Sequence, residues 1–192
     1  MNNIHTGTLE ERITRLEDIE QIRYLQAKYQ RCLDTRDFDG IADCFSDTVV
    51  SSYGNGKMSY DGKDNVLQFL CSVMTLDMPS THLIHGGEID IIDTRHAQAK
   101  WYLEDYLLHE KYKMKLHGAA IYEVEYVKTD NDWLIQSIGY KRCYEYMEAR
   151  GIINMLTLRK KTFLQAVKEA IPGTLGKYGR LFQYKTLKKK EQ

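Results

Sequence analysis

The chain lacks any apolar run approaching the roughly 20 residues that a membrane-spanning helix needs, and its opening residues include no basic-then-apolar stretch of the signal-peptide kind. No membrane span and a cytoplasmic location are the expectation. Cysteine is sparse: Cys32, Cys44, Cys71 and Cys143 lie far apart, inside segments of regular pattern. That spacing indicates neither a disulfide framework nor a Cys-x-x-Cys metal or redox site, and leaves buried thiols as the expectation. No Gly-x-Ser-x-Gly elbow, Walker loop or Gly-x-Gly-x-x-Gly is present, so acyl-enzyme, nucleotide and dinucleotide chemistry have no basis in the sequence.

Net positive charge is missing too, since 27 Lys and Arg balance 27 Asp and Glu over 192 residues. The balance conceals two unlike parts. Residues 152–192 hold ten Lys or Arg against two acids, which leaves seventeen against twenty-five in residues 1–151. An acidic main body argues against a nucleic-acid partner, which would call for a basic surface.

What is present is a helical pattern that gives way to a strand pattern. From about Glu10 to Leu33, Ile13, Leu16, Ile19, Ile22, Leu25, Tyr29, Cys32 and Leu33 recur at helical spacing. Asp34 falls at the end of that helix, where the dipole disfavours negative charge. Pairing with Arg31 or Arg36, or a functional site, would each account for it. Asp37 is a candidate cap for a short helix through Phe45. A strand from Thr48 to Tyr53 then turns through Gly54-Asn55-Gly56, and a second amphipathic helix runs to just before Pro79. Four strand-like runs follow, Thr81–Ile92, Ala97–His109, Met114–Lys128 and Trp133–Tyr146, spaced as an antiparallel meander. Helices first and a long sheet afterwards is an α+β arrangement with the helices covering one sheet face. Ile152, Leu156, Phe163, Val167 and Ala170 mark a C-terminal helix, ended by Pro172-Gly173 and followed by a basic tail. The expected organisation is one domain over 1–150 with an extension over 151–192.

The strand Lys100–His109 holds the most informative residue. Alternation puts Trp101, Leu103, Asp105 and Leu107 on one face, so a carboxylate stands among apolar neighbours. Burying it charged and alone would cost several kcal/mol, so it needs a cation or a donor. An ordinary buried salt bridge would satisfy it. So would a histidine from the preceding strand, His82 or His85, forming an acid/base pair in which the carboxylate orients the ring. The odd spacing of those histidines puts them on opposite faces, so they cannot readily share a metal, and no other ligand cluster stands out.

The runs Lys28-Tyr29-Gln30-Arg31-Cys32-Leu33-Asp34-Thr35-Arg36-Asp37-Phe38-Asp39-Gly40, Ser52-Tyr53, Thr81-His82-Leu83-Ile84-His85 and Trp101-Tyr102-Leu103-Glu104-Asp105 resemble the SnoaL-like branch of the nuclear-transport-factor-like superfamily. Within it they look most like the bile acid 7α-dehydratases and more distantly like the scytalone dehydratases. The resemblance covers about Leu9 to Glu148 and implies a cone-shaped α+β domain, its curved mixed or antiparallel sheet and helices enclosing an apolar pocket, working without metal or organic cofactor. It implies catalytic roles for Tyr29, Asp34, Tyr53, His82 and Asp105, and it selects His82 over His85.

The resulting expectation is a cofactor-independent dehydratase. His82, oriented by Asp105, would remove a proton from a hydroxylated, carbonyl-containing steroid-like or polycyclic substrate, while Tyr29 or Tyr53 polarises the carbonyl. The partner would be a small hydrophobic substrate, as a free acid or a coenzyme A thioester. An isomerase or cyclase using the same pocket and a non-catalytic ligand-binding or assembly module are the rivals. The two unlike charge halves and the unpartnered C-terminal apolar stripe point to a homo-oligomer, a dimer or trimer.

Overall fold

A computed structural model describes residues 7–109, 113–130 and 132–149. The expected C-terminal helix and basic tail lie outside the described residues.

The first helix, α1 (Leu9–Thr35), starts where the sequence supplies a reciprocal cap. Thr8 Oγ1 accepts from the Glu11 amide at 3.2 Å, and the Glu11 carboxylate accepts from the Thr8 amide at 2.7 Å. Two otherwise orphaned donors are thereby satisfied. The helix buries Ile22, Leu25, Tyr29, Cys32 and Leu33 against the sheet. Ile13 and Leu16 belong to the same stripe yet are 48% and 58% exposed. The cause is where contact begins: Asp18, buried, accepts from Lys128 Nζ at 2.6 Å and from Trp133 Nε1 at 2.9 Å, tying the helix to two strands from that point onward.

Helix α2 (Phe38–Ala42) is capped by Asp37, whose carboxylate accepts from the Gly40 amide at 2.9 Å. It stops short of Phe45, which opens β1 (Phe45–Tyr53). Gly54, Asn55 and Gly56 all take positive φ, giving the tight turn into β2 (Met58–Asp61). Helix α3 (Lys63–Val73) buries Val66 and Leu70 and precedes the long strands β3 (Ser80–Ile91), β4 (His96–His109), β5 (Met114–Thr129) and β6 (Asp132–Ala149).

The six strands form one sheet in the order β2-β1-β6-β5-β4-β3. The last four make the expected meander, and β6 returns to lie parallel to β1, so the sheet is mixed. One face of the sheet carries the core. On β4 the inward series is Ala97, Ala99, Trp101, Leu103 and Asp105; on β5 it is Gly118, Ala120, Tyr122, Val124 and Tyr126. Full burial of each large apolar side chain contributes about 1.5–3 kcal/mol.

Strand β3 carries a bulge between His85 and Gly87. Before it Ser80, His82 and Ile84 face inward; after it Gly87, Ile89 and Ile91 do. A Cβ on Gly87 would lie 2.3 Å from the Trp101 ring, so only glycine lets the indole cover this backbone. Cys32 and Cys44 are buried, whereas Cys71 and Cys143 are exposed, contrary to expectation, because α3 and β6 each turn one face outward there.

Candidate functional site

The end of α1 and the start of β3 are locked together by Arg36. This residue caps the helix in the left-handed region, at φ 58°, a conformation that costs a non-glycine residue of order 1 kcal/mol. Its guanidinium offsets that cost by donating to the Asp34 carbonyl at 2.6 Å, the Ser80 hydroxyl at 2.8 Å and the Met78 carbonyl. The Asp34 side chain is carried directly over β3 as a result.

Asp34 there accepts three hydrogen bonds. The His82 amide donates to Oδ2 at 2.8 Å, the Ser80 hydroxyl donates to Oδ1 at 2.8 Å, and His82 Nδ1 lies 2.6 Å from Oδ1. Burial pushes the carboxyl up, but the His82 ring and amide, with Ser80, outweigh it and hold Asp34 below the usual carboxylate range. The His82 side chain is 8% exposed. With Nδ1 engaged by the carboxylate, Nε2 is the nitrogen left to exchange a proton with a ligand.

Asp105 is 2% exposed on the inner face, as alternation implied, and stands directly opposite His82 in the β3–β4 ladder. Its partner is nevertheless not the imidazole. Arg142 on β6 grips both oxygens, Nη1 to Oδ1 and Nη2 to Oδ2, each at 2.6 Å. The expected His82–Asp105 pair is therefore corrected to two pairs, His82 with Asp34 and Asp105 with Arg142. The physical reason is geometric fit: a planar guanidinium matches a buried carboxylate with two charge-assisted bonds, while the α1 terminus brings another carboxylate within reach of the ring. Burial alone would weaken the guanidinium's hold on its proton, and the Asp105 contact more than reverses this. Neither Arg31 nor Arg36 forms the side-chain ion pair with Asp34 considered above; Arg36 takes its backbone carbonyl instead.

The tyrosines continue this surface. Tyr29 and Tyr53 share a 3.2 Å hydroxyl–hydroxyl hydrogen bond, so whichever accepts has its own proton to donate. Burial raises both far above the ordinary phenol range, which keeps them protonated donors rather than bases. Tyr140 packs on Tyr53 with ring centroids 5.7 Å apart, and the Arg142 guanidinium sits 4.7 Å from the Tyr140 centroid. Tyr122 feels Tyr53, Tyr140 and Asp105 together, which places all four in one neighbourhood.

Arg142, Ser80 and Tyr140 are members that sequence reasoning missed. Arg142 had a readable signal: Ile138, Tyr140 and Arg142 recur at every second position of a strand, the pattern that exposed Asp105 on β4. His85 points to the other face, 58% exposed, 3.7 Å from Glu104. Two surface grooves, of about 990 and 800 Å³, lie on the outer sheet face and along α1, and none of the five expected site residues lines either. Among the described residues no group of three or more His, Cys, Asp or Glu side chains converges as a metal centre, and no helix is long and apolar enough to cross a membrane.

An α+β domain with a curved six-stranded sheet, helices over one face and a polar site set into that covered face is a small-ligand-binding fold. The chain belongs to the SnoaL-like domain family, whose model matches residues 14–138. Solved structures of the same fold include a putative scytalone dehydratase from Novosphingobium aromaticivorans, 17% identical over 72% of this chain and 91% of that one, with a TM-score of 0.65. A type 2 hexachlorocyclohexane dehydrochlorinase is 17% identical over 71% of this chain and 93% of its own, with a TM-score of 0.65. ActVI-ORFA from Streptomyces coelicolor is 15% identical over 65% and 96%, with a TM-score of 0.56.

Proposed function

We propose that the chain is a cofactor-independent lyase that removes water from a β-hydroxy carbonyl compound, with His82 as acid and base and Asp34 as its orienting partner. The observation that carries this reading is the Asp34–His82 contact, in which one carboxylate holds both the ring nitrogen and the backbone amide of the same histidine. Nε2 takes the proton from the carbon beside the carbonyl. The electron pair moves onto the carbonyl oxygen, where the protonated Tyr29 and Tyr53 hydroxyls stabilise it. The enolate then collapses, a carbon–carbon double bond forms, and the hydroxyl leaves with the imidazolium proton as water, regenerating neutral His82. Asp105 acts through Arg142, holding the guanidinium beside this site.

The steroid-like or polycyclic scale of the substrate, as in the bile acid 7α-dehydratases, rests on the motif resemblance, as does its delivery as an acid or a coenzyme A thioester. Oligomerisation through residues 152–192 rests on their charge and apolar stripe. The test is product analysis with hydroxylated steroid and bicyclic ketones and their thioesters. Wild type releases water and an unsaturated ketone, and His82→Ala lowers turnover by about a hundredfold or more. Full activity in His82→Ala overturns the reading; a product isomeric with the substrate replaces it with an isomerase on the same pair of residues.

A further inference from the structure

Gln30 is the inner-face residue that the chemistry above leaves unused. It is 4% exposed on α1, and both its amide nitrogen and its amide oxygen lack a close hydrogen-bond partner among the described residues. Gln26, one turn earlier, is treated differently: its oxygen accepts from the Tyr126 hydroxyl at 2.7 Å, which in turn accepts from Trp101 Nε1 at 3.0 Å. Gln26 is thus tied to the sheet through its oxygen, its nitrogen being unpaired as well, whereas Gln30 has no close hydrogen bond at either end. A buried amide with no close partner at either end destabilises the empty protein, and a bound group that supplied the partners would relieve that cost.

Its position indicates what completes it. Gln30 lies four residues before Asp34, so the two side chains leave the same helix face about 5–6 Å apart. The amide's one polar interaction is a loose hydrogen bond with the Tyr122 side chain, outside close hydrogen-bond geometry, which offsets part of the burial that keeps that phenol protonated; Tyr122 also senses Tyr53, Tyr140 and Asp105. The amide therefore faces the space between the Asp34–His82 pair and the tyrosines.

We infer that Gln30 is a specificity-determining residue whose amide pairs with a second oxygen of the substrate, roughly one helical turn from the carbon that His82 deprotonates. The donor and acceptor ends of one amide suit a hydroxyl, which can give and receive, or a carbonyl. A halogenated or bare hydrocarbon of equal size would leave both ends unpaired, and a site built to bond an oxygen discriminates strongly against an analogue without it. The inference rests on the lyase reading only for the identity of the deprotonated carbon.

The test uses Gln30→Met, which keeps length and shape without the polar atoms, and Gln30→Leu as a second variant. Thermal unfolding of the unliganded full-length proteins comes first, and at least one variant should melt at or above the wild-type temperature. A fall of more than about 2 °C in both shows a structural amide and overturns the proposal. Calorimetric titration then uses matched probes: 1-tetralone and 4-hydroxy-1-tetralone against tetralin, and a 7-hydroxy-3-oxo steroid against the same nucleus without oxygen. The variant should lose about tenfold affinity for an oxygenated probe and stay within about twofold for its unoxygenated match. Equal losses for both, no loss, or no binding of any oxygenated probe by wild type overturns it. His82→Ala separates the two readings. If that variant keeps the oxygen preference and loses water release, both stand; if it still eliminates water, the lyase reading falls and Gln30 is judged by the titration alone. If Gln30→Met retains the preference while His82→Ala is inactive, only the Gln30 assignment falls.

Discussion

Asp34 and Asp105 approach the same inner surface from opposite sides, one from the end of a helix and one from the middle of a strand, and their partners make them different devices. Asp105 is buried and gripped at both oxygens by a guanidinium that is always charged, so it is held in one geometry. Asp34 is partly exposed and bonded to an imidazole, a side chain that can both take up and give back a proton in catalysis. A buried carboxylate is informative about chemistry only when its partner can titrate. One made permanent by arginine holds geometry.

The two carboxylates differ most in what the loss of Arg142 would do. Arg142→Met leaves Asp105 buried without a cation and should cost about 3–5 kcal/mol of stability, read as a fall in melting temperature of roughly 10 °C or more. Adding Asp105→Asn should recover part of that loss, because a neutral amide is cheaper to bury than an unpaired charge. If Arg142→Met melts like wild type, the two carboxylates are not so different. Next in size, Asp34→Asn should reduce turnover about a hundredfold, equivalent to about 2.7 kcal/mol, while changing the melting temperature far less than Arg142→Met does. Steady-state kinetics beside calorimetry would show the split.

Tyr29→Phe removes one hydroxyl from the 3.2 Å tyrosine pair and should cost about 1 kcal/mol in stability, with a drop in turnover of roughly tenfold. Tyr53→Phe should match it if the two work as one donor. The smallest effect is on acid stability. The folded Asp34 titrates below its unfolded value of about 3.9, so its contribution is fully present above that value and is lost as pH falls through the lower, folded one. The melting-temperature gap between wild type and Asp34→Asn should therefore narrow as pH drops below about 4. A gap that widens there would reverse the sign of the Asp34–His82 interaction.

Much of this was legible residue by residue. The first helix, the Gly-Asn-Gly hairpin and the inward Asp105 follow from local rules that tertiary contacts did not override. The parallel return of β6 beside β1 was hidden, because pairing of strands separated by some ninety positions leaves no mark in either one's alternation. The exchange of carboxylate partners was hidden for a related reason. It depends on Arg36 adopting a left-handed cap and reaching Met78 and Ser80, more than forty residues away. Nothing in the run Leu33-Asp34-Thr35-Arg36 fixes that reach.

The bulge at Gly86 and Gly87 has a bearing on how lineages of this fold can change length. Positions before it face the core when even-numbered and positions after it when odd-numbered, because Gly86 is looped out of the ladder while the two halves of the strand stay in phase with β4. Removing Gly86 would set His85 and Gly87 side by side opposite Tyr102 and Trp101 in an unbroken ladder and leave His82 facing inward, whereas removing a residue between His82 and His85, with the bulge kept and Ile89 and Ile91 still anchored, would turn His82 to the solvent side. Insertions elsewhere in surface loops would be silent by comparison. Among chains of this family, relatives one residue shorter between the histidine and the Ile89 position should therefore have lost the bulge if that histidine still stands opposite the β4 carboxylate.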